Sequence, residues 1–319
     1  MSTLPRRGPR TVYRLVEYVP LELPPAAVSE EAAAALWRRY RSQVEVEPPS
    51  FRTGGQWRLT SQGWAGYIPA ARDLGLLLLP KVALRDLFGM LEVAYDLGSF
   101  QVLEGSFGVE SLPGLYERLA SILARRVLAR ARQGLYRTYL EQSGRVTPLR
   151  GRLLLPDLVR RPHTPALPCA YQEMTADVAE NRILGWTLHT ILRSGLCGPA
   201  SHATVQRAYR LVAAQTTLTP IPAEACRRRS YTRLNEDYRA LHALCGFFLD
   251  AAGPGHQPGS QEMIPFVVDM ERLFERFVAA WLAQALPISY RAAAQVRTPL
   301  GSNAGVHFAM DLVVSDAQG

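Results

Sequence analysis

The stretch PFVVDMERLFERFVAAWLAQAL, residues 265–286, and the stretch VHFAMDLVV, residues 306–314, decide how the C-terminal part of this chain folds. Apolar residues recur at helical spacing in the first stretch and form a wide face. Glu271 and Glu275 are four residues apart, so a helix places them on one side. The second stretch predicts a β-strand that contains one acid, Asp311. An acid-bearing helix is therefore followed by an acid-bearing strand.

Asp311 stands in an otherwise apolar strand, where an acid is costly unless it is paired, hydrogen-bonded or bound to a metal ion. A helix acid and a strand acid can come together, and Mg²⁺ prefers such carboxylate oxygens. An ion held between a glutamate of the helix and Asp311 would activate water and stabilise the charge that develops during phosphodiester cleavage. The alternative is that Asp311 faces solvent at a sheet edge, and spacing alone favours this alternative.

The composition is that of a folded protein with a basic surface. Of the 319 residues, 48% are hydrophobic and 20% are charged, which excludes a disordered chain. The net charge of +8 favours a polyanionic partner, and DNA is the commonest of these. One of the 36 basic residues is a lysine, Lys81, and the other 35 are arginines, which bind phosphate through two parallel hydrogen bonds.

Other sequence features favour a cytoplasmic protein that is not bound to a membrane. The four cysteines form no CxxC pair and have no histidines at zinc spacing, so reduced thiols are expected. The N-terminus lacks the apolar segment of a signal peptide, and the leucine run 76–79 is too short to cross a bilayer. No GxxxxGKS or GxxxxGKT motif occurs, so nucleotide hydrolysis would have to come from a partner.

The rest of the chain divides into a β-rich part and a helical part. Short strands, the clearest at 11–19 and 76–80, alternate with turns and helices in the N-terminal part. A Pro- and Arg-rich segment near 160–168 predicts a boundary between an N-terminal domain, residues 1–165, and a helical region, residues 166–319, that leads into the C-terminal unit. The predicted helices cover residues 30–40, 83–95, 112–140, 177–193, 201–214 and 234–251.

Arginines are concentrated at several places that could contact phosphate. In the helix predicted over 112–140, Arg118, Arg125 and Arg132 recur every seven residues opposite the apolar face. This stripe is a solvated face, a phosphate-contact surface or a docking face for an acidic partner. A second group includes a triple in a predicted loop and two arginines after the last helix. The arginines considered as DNA contacts are Arg227, Arg228, Arg229, Arg291 and Arg297.

Taken together, these segments resemble the McrC family, the nuclease subunit of McrBC-type, modification-dependent restriction systems. The order and spacing of the matching pieces are specific, and they run through most of the chain. The pieces are LPKV at 79–82, GLYRTY at 134–139, LRGR at 149–152, TAD at 175–177, ENRIL at 180–184, DM at 269–270, LFE at 273–275 and MDL at 310–312.

The resemblance implies an α+β fold with a small β-rich N-terminal domain, a helical middle and the start of a PD-(D/E)xK-type α/β nuclease core. It implies that Glu275 is the helix acid and Asp311 the first strand aspartate, both catalytic and both Mg²⁺ ligands. Met310 replaces the usual proline before that aspartate. It further implies an N-terminal region that docks on a McrB-like AAA+ GTPase and stimulates it. That partner recognises modified cytosine in double-stranded DNA, and this subunit cuts.

One family element is missing from the sequence: a second strand with an acid, a spacer and a lysine. The chain ends with residues 315–319, expected to form the turn before that strand, so Asp316 is a poor substitute for its acid. We therefore expect no Mg²⁺-dependent cleavage by this chain alone. Two explanations are a truncated nuclease and a natural non-catalytic activator of the GTPase, and the open apolar edge favours truncation. Residues considered for partner binding are Arg72, Asp73, Lys81 and Arg85.

Overall fold

The computed structural model describes residues 11–71, 73–95, 111–160, 165–227, 229–252, 264–287, 289–299 and 307–316. Within these ranges the chain forms nine α-helices and twelve β-strands in four small sheets, which confirms a mixed α and β fold. None of the helices in the described ranges has the length and apolar character needed to cross a membrane.

The N-terminal part contains two small sheets and one helix. Its elements are β1 (Thr11–Val16), β2 (Leu21–Leu23), α1 (Glu30–Arg39), β3 (Val44–Glu47), β4 (Trp57–Ser61), β5 (Trp64–Ile68) and β6 (Leu74–Leu79). One sheet has the order β2-β4-β3, and β1 pairs with β6 in the other. The Ser29 hydroxyl accepts the Ala32 N–H at 3.3 Å, so α1 begins at the expected cap. The predicted strands and helix of this part are confirmed.

A strand from far along the chain completes the second N-terminal sheet. β10 (Phe266–Asp269) pairs antiparallel with β5, which gives the order β1-β6-β5-β10. Gly66 has a φ of +140°, and a Cβ there would lie 2.0 Å from the carbonyl oxygen of Phe266. The close approach of the two strands therefore requires glycine at this position. This pairing fixes where the helix that follows β10 begins.

Helices form the middle of the molecule and its larger core. They are α2 (Leu84–Ala94), α3 (Leu112–Gln133), α4 (Leu155–Arg160), α5 (Ala179–Ser194), α6 (Pro199–Ala213), α7 (Glu224–Arg227), α8 (Tyr238–Ala251) and α9 (Met270–Ala285). α3 packs on α6, α5 packs on α6 and α8, and α2 packs on α9. The ring of Tyr116 contacts Phe248 and Phe266 edge-on, with centroids 5.0 and 4.6 Å apart. These contacts join the helices to β10.

The prediction of a helix over 112–140 is wrong at its C-terminal end. Gly134 has a φ of +96°, which ends α3 after Gln133. A strand follows, β7 (Thr138–Val146), and it pairs along its length with β9 (Leu167–Thr175), on which β8 (Arg152–Leu153) also pairs. β7 and β9 lie on opposite sides of the predicted boundary after residue 165, and the domain division stays a prediction.

The C-terminal segment forms a two-stranded antiparallel sheet of β11 (Tyr290–Pro299) and β12 (His307–Asp316). The strand expected over 306–314 is therefore confirmed. Asp316 was expected in a turn, and this is wrong, because it is the last residue of β12 and pairs with Tyr290. The turn expected at 303–305 and the connector expected at 253–259 lie outside the described residues.

Candidate functional site

A cavity of about 740 Å³ lies between α9 and β12 and is bounded by the ends of α2 and α7. It opens to solvent, and its wall is dominated by charged side chains from four different elements. Among the described residues, the charged ones that line it are Asp269, Glu271, Arg272, Glu275, Arg276, Arg227 and Asp311. Acids and arginines thus share one cavity, which is suited to hold both a cation and an anionic group.

The register of α9 explains why its polar side chains reach the cavity. The Asp269 carboxylate accepts the backbone N–H of Arg272 at 3.1 Å, so Asp269 caps the helix. From this cap, Glu271 and Glu275 follow at four-residue spacing on the cavity side, as the sequence predicts. Ala279 and Ala280 continue the same side and leave room for a ligand. The side of α9 that faces the cavity therefore carries polar side chains at its N-terminal end and small side chains at its C-terminal end.

Asp311 enters the cavity from the middle of β12, and its side chain is exposed. In the antiparallel pair, Arg291 lies opposite Ser315 and Arg297 opposite Ala309. Because directly opposed residues point to the same face and faces alternate along a strand, Arg291, Arg297 and Asp311 share one face of the sheet. Both arginines are exposed. The structure thus brings Glu275 and Asp311 to one cavity, with two candidate DNA contacts on the Asp311 face.

A network around Asp250 holds one wall of the cavity in place. The Arg276 guanidinium donates to the Asp250 carboxylate at 2.7 Å and to the Tyr95 hydroxyl at 2.8 Å, and Tyr95 in turn donates to Asp250 at 3.0 Å. Arg227 donates to the same carboxylate oxygen. Burial by itself raises the pKa of Asp250, but the hydrogen bonds and charges of Arg227 and Arg276 outweigh it and hold that pKa below its usual value. The network ties α2, α7, α8 and α9 together.

One of the three arginines at 227–229 lies at the end of a helix instead of in the predicted loop. Arg227 was expected in a loop, and this is wrong, because it ends α7 and pairs with Glu224 at 2.7 Å as well as with Asp250. The Arg229 guanidinium donates to the Glu180 carboxylate at 2.6 Å. Arg228 lies outside the described residues. Arg227 and Arg229 thus have carboxylate partners within the fold, and DNA contact by these arginines stays a prediction.

The candidates for partner binding do not form one cluster. Asp73 precedes β6, whereas Lys81 and Arg85 follow its C-terminal end, and a strand of six residues spans about 20 Å. The Lys81 ammonium lies 4.4 Å from the centre of the Tyr18 ring. Arg85 is exposed and pairs with Asp86 at 3.8 Å. Arg72 lies outside the described residues, and the role of all four stays a prediction.

The segment around Asp177, which carries part of the family resemblance, has a structural role. Its carboxylate accepts two hydrogen bonds from Arg182, at 2.6 and 2.9 Å, and two from the backbone and hydroxyl of Thr217, at 2.8 and 2.7 Å. The hydrogen bond from Arg182 is the main cause of an Asp177 pKa far below its usual value. Asp177 therefore fastens the start of α5 to the segment after α6.

The cavity supplies the ligand type that a hard divalent cation requires. No group of three or more His, Cys, Asp or Glu side chains that could hold a metal ion occurs among the described residues. Mg²⁺ is usually held by one or two carboxylates, with water as the remaining ligands. Glu275 and Asp311 fit this requirement, since both are carboxylates on one cavity. The lining arginines Arg272 and Arg276 and the cap Asp269 were not among the predicted site residues, although Asp269 belongs to one of the resembling pieces.

Comparison with known proteins gives one family match and similar structures. The family model described as McrBC 5-methylcytosine restriction system component matches residues 59–310. No curated protein matches the sequence. A chain of the cryo-EM structure of the Thermococcus gammatolerans McrBC complex shares 19% identity with a TM-score of 0.54, over 87% of this chain and 88% of that chain.

A second similar chain comes from the refined half-complex of the tetradecameric assembly of Thermococcus gammatolerans McrB AAA+ hexamers with bound McrC. It shares 19% identity with a TM-score of 0.53, over 96% of this chain and 77% of that chain. At this identity the two structures show a common fold, while the family model matches most of the sequence. The chain therefore belongs to the McrC family of McrBC 5-methylcytosine restriction system components.

Proposed function

We propose that this protein is the DNA-cleaving subunit of a 5-methylcytosine-dependent restriction complex and that it also stimulates a McrB-like GTPase. The observation that carries the first part is the convergence of Glu275 and Asp311, from a helix and a strand, on one cavity. An acid from each of these elements is the arrangement expected for the first half of a PD-(D/E)xK core. The substrate is double-stranded DNA with modified cytosine, and the complex acts in the cytoplasm.

The residues that line the cavity have different roles in the proposed reaction. Glu275 and Asp311 would hold Mg²⁺, which would supply an activated water molecule and offset negative charge on the scissile phosphate. Arg272, exposed at the cavity wall, would bind the phosphate from the helix side. Arg291 and Arg297, on the same sheet face as Asp311, would contact the DNA backbone beside the scissile bond.

The Asp250 network would position α9 without contacting DNA. Asp250 holds the Arg276 guanidinium at 2.7 Å, and Arg276 lies one residue after Glu275. The same carboxylate joins α8 and α7 to α9, so the Glu275 backbone is fixed relative to the helical core. A metal ligand is useful only if its supporting contacts hold its geometry. Asp250 is therefore a positioning residue in this proposal.

The GTPase partner is supported by family membership and by the fold. The two similar structures are of a McrBC complex and of McrB AAA+ hexamers with bound McrC. The present sequence has no GxxxxGKS or GxxxxGKT motif, so GTP would act through the partner alone. In this arrangement the partner recognises modified DNA and moves along it, and the McrC-type subunit docks on the GTPase ring and cuts.

The test combines two readouts on the protein, expressed from its whole gene so that any acid-x-Lys strand after residue 319 is included, and on a McrB-like GTPase from the same source. With GTP, Mg²⁺ and cytosine-methylated plasmid, Glu275→Gln and Asp311→Asn should each lower the cleavage rate by about 100-fold or more, because a metal ligand is lost. Stimulation of GTP turnover should be unchanged. Glu271→Gln, on the same cavity face of α9, is the matched control and should retain both activities. Cleavage that withstands both ligand substitutions would overturn the nuclease assignment.

A second candidate function is a non-catalytic activator of the GTPase. The observation that favours it is that the sole lysine of the sequence, Lys81, lies in the N-terminal part and is not among the residues that line the α9–β12 cavity. In the same assay this function predicts stimulated GTP turnover with no cleavage by the wild-type protein. Unchanged GTP turnover on mixing the two proteins would exclude both the activator role and the partner proposal.

A further inference from the structure

The outward surface of α3 and α6 is strongly basic. These two packed helices carry seven arginines and a single acid, Glu117. The Glu117 carboxylate already has a partner within the fold, since it accepts the Gly198 N–H at 2.9 Å. Arg130 also has one, because it forms a salt bridge with Asp237 at 2.8 Å. We call five of the remaining arginines the α3–α6 arginine surface: Arg118, Arg125, Arg132, Arg207 and Arg210.

A groove at one end of this surface brings two of its arginines together. The groove has a volume of about 490 Å³ and lies between α3 and the first turn of α6, where Arg118, Arg125, Ser121 and Ser201 line it together with Glu117, whose carboxylate is hydrogen-bonded to the Gly198 N–H. Within the part of the chain that the structure describes, neither guanidinium pairs with a carboxylate. Two such arginines with adjacent hydroxyls form a surface that favours an anion with several acceptor oxygens, such as a phosphodiester.

The spacing along α3 fits a repeating anion better than a single small one. Arg118, Arg125 and Arg132 are separated by seven residues each, which corresponds to two helical turns and about 10.5 Å. The major groove of B-DNA is about 12 Å wide, so neighbouring guanidiniums of this row can contact phosphates on its two sides. Arg207 and Arg210 on α6, the helix that packs against α3, are exposed and add positive charge. The surface therefore matches the charge and the periodicity of a duplex backbone.

We propose that the α3–α6 arginine surface binds the phosphate backbone of double-stranded DNA, at a place separate from the α9–β12 cavity. The two places share no lining residue. Contacts to phosphate carry no sequence information but fix the position of a protein on the duplex. The surface thus holds DNA irrespective of methylation and independently of cleavage. This inference does not depend on the proposed nuclease activity.

The experiment measures binding of a short, unmethylated, fluorescein-labelled duplex by anisotropy, with EDTA present so that no cleavage can contribute. The variant is Arg118→Gln/Arg125→Gln. The matched control is Arg38→Gln/Arg39→Gln, which removes the same charge from two exposed residues at the end of α1. All proteins are compared between about 50 and 200 mM salt, because each lost phosphate contact lowers the salt dependence of binding.

The expected result is about tenfold weaker binding by the Arg118/Arg125 variant, with a salt slope that is smaller by about two. The control pair should change affinity by less than about twofold, and thermal melting should show that both variants remain folded. An equal loss in the two variants would reduce the effect to net charge and overturn the proposal. Unchanged DNA binding with lost association to the GTPase would also overturn it and identify an acidic protein as the occupant.

Discussion

Two polar regions of this molecule use titratable residues in opposite ways. In the α5–α8 polar core, formed by Asn181, Tyr231, Tyr238 and His242, the residues from the two helices are fully buried. In the α9–β12 cavity, Asp311 and the polar side chains at the start of α9 are exposed or half-buried. Both regions overlap pieces of sequence that carry the resemblance to the McrC family. A piece that resembles the family therefore marks either a site that stabilises the fold or a site open to a ligand, and burial distinguishes the two.

Asn181 shows how completely the α5–α8 polar core is satisfied. Its amide donates to the carbonyl oxygens of Tyr136 and Ala176, at 2.8 and 2.7 Å, and its oxygen accepts the Tyr238 hydroxyl at 2.7 Å. That hydroxyl also accepts the Tyr136 N–H at 2.9 Å. One side chain thus joins α5, α8 and the segment between α3 and β7.

The largest expected effect is therefore in this core. Asn181→Ala should lower the free energy of unfolding by about 3 kcal/mol, because three buried hydrogen bonds are lost and the Tyr136 carbonyl oxygen and the Tyr238 O–H lose the partners they have in the fold. Asp311→Asn, in the cavity, should change it by less than about 0.5 kcal/mol, as expected for an exposed side chain. Urea denaturation of the two variants checks both values. Similar losses of unfolding free energy in the two variants would show that burial does not distinguish a structural polar site from one open to a ligand.

His242 gives the α5–α8 polar core a measurable pH dependence. Its Nε2–H donates to the carbonyl oxygen of Glu180 at 3.0 Å, so its Nδ1 accepts the Tyr231 hydroxyl at 2.9 Å. Burial lowers the pKa of His242 to about 4, despite its hydrogen bond to Glu180. The unfolded chain, with a histidine pKa of about 6.5, binds the proton more readily. The contribution of the neutral His242 imidazole to the free energy of unfolding is thus fully present above about pH 6.5, and it is lost as the pH falls toward 4.

We expect the free energy of unfolding of the wild-type protein to fall by about 2 kcal/mol between pH 6.5 and pH 4 because of this residue. His242→Gln should be less stable at neutral pH, and its stability should depend less on pH over that window. The difference between the two curves cancels contributions from other histidines, among them His189, whose pKa burial also lowers. Parallel curves for the two proteins would show that His242 is not buried as a neutral imidazole.

The features that could be predicted from the sequence are those that depend on neighbours along the chain. Helical periodicity located α1, α2, α5 and α6 to within a few residues, because each buries one face. Glu271 and Glu275 reached one cavity for the same reason. The sequence does not predict β10, since three apolar residues and an aspartate become a strand only by pairing with β5, far away along the chain. The start of α9 depends on that pairing.

The parts of the candidate site that could not be predicted are tertiary. Asp250 looks like an ordinary acid near the end of a helix, and its role depends on arginines from two other helices and on Tyr95. Lys81 is the sole lysine of the sequence, but its position over Tyr18 follows from the pairing of β1 with β6. The sequence predicts a helix that runs to residue 140, because a glycine such as Gly134 does not by itself show where a helix ends. In the structure α3 ends there. No local pattern contains this information.

Calorimetric titration with Mn²⁺ in place of Mg²⁺ tests whether Glu275 and Asp311 bind one divalent cation together. We expect one cation site that Glu275→Gln and Asp311→Asn each weaken by about tenfold or more, while Glu271→Gln binds as the wild-type protein does. Melting temperatures should stay the same in all four metal-free proteins, so that a lost ligand is distinguished from a lost fold. Equal Mn²⁺ affinity in all four proteins, or no binding by the wild type, would show that these two residues do not form a cation site.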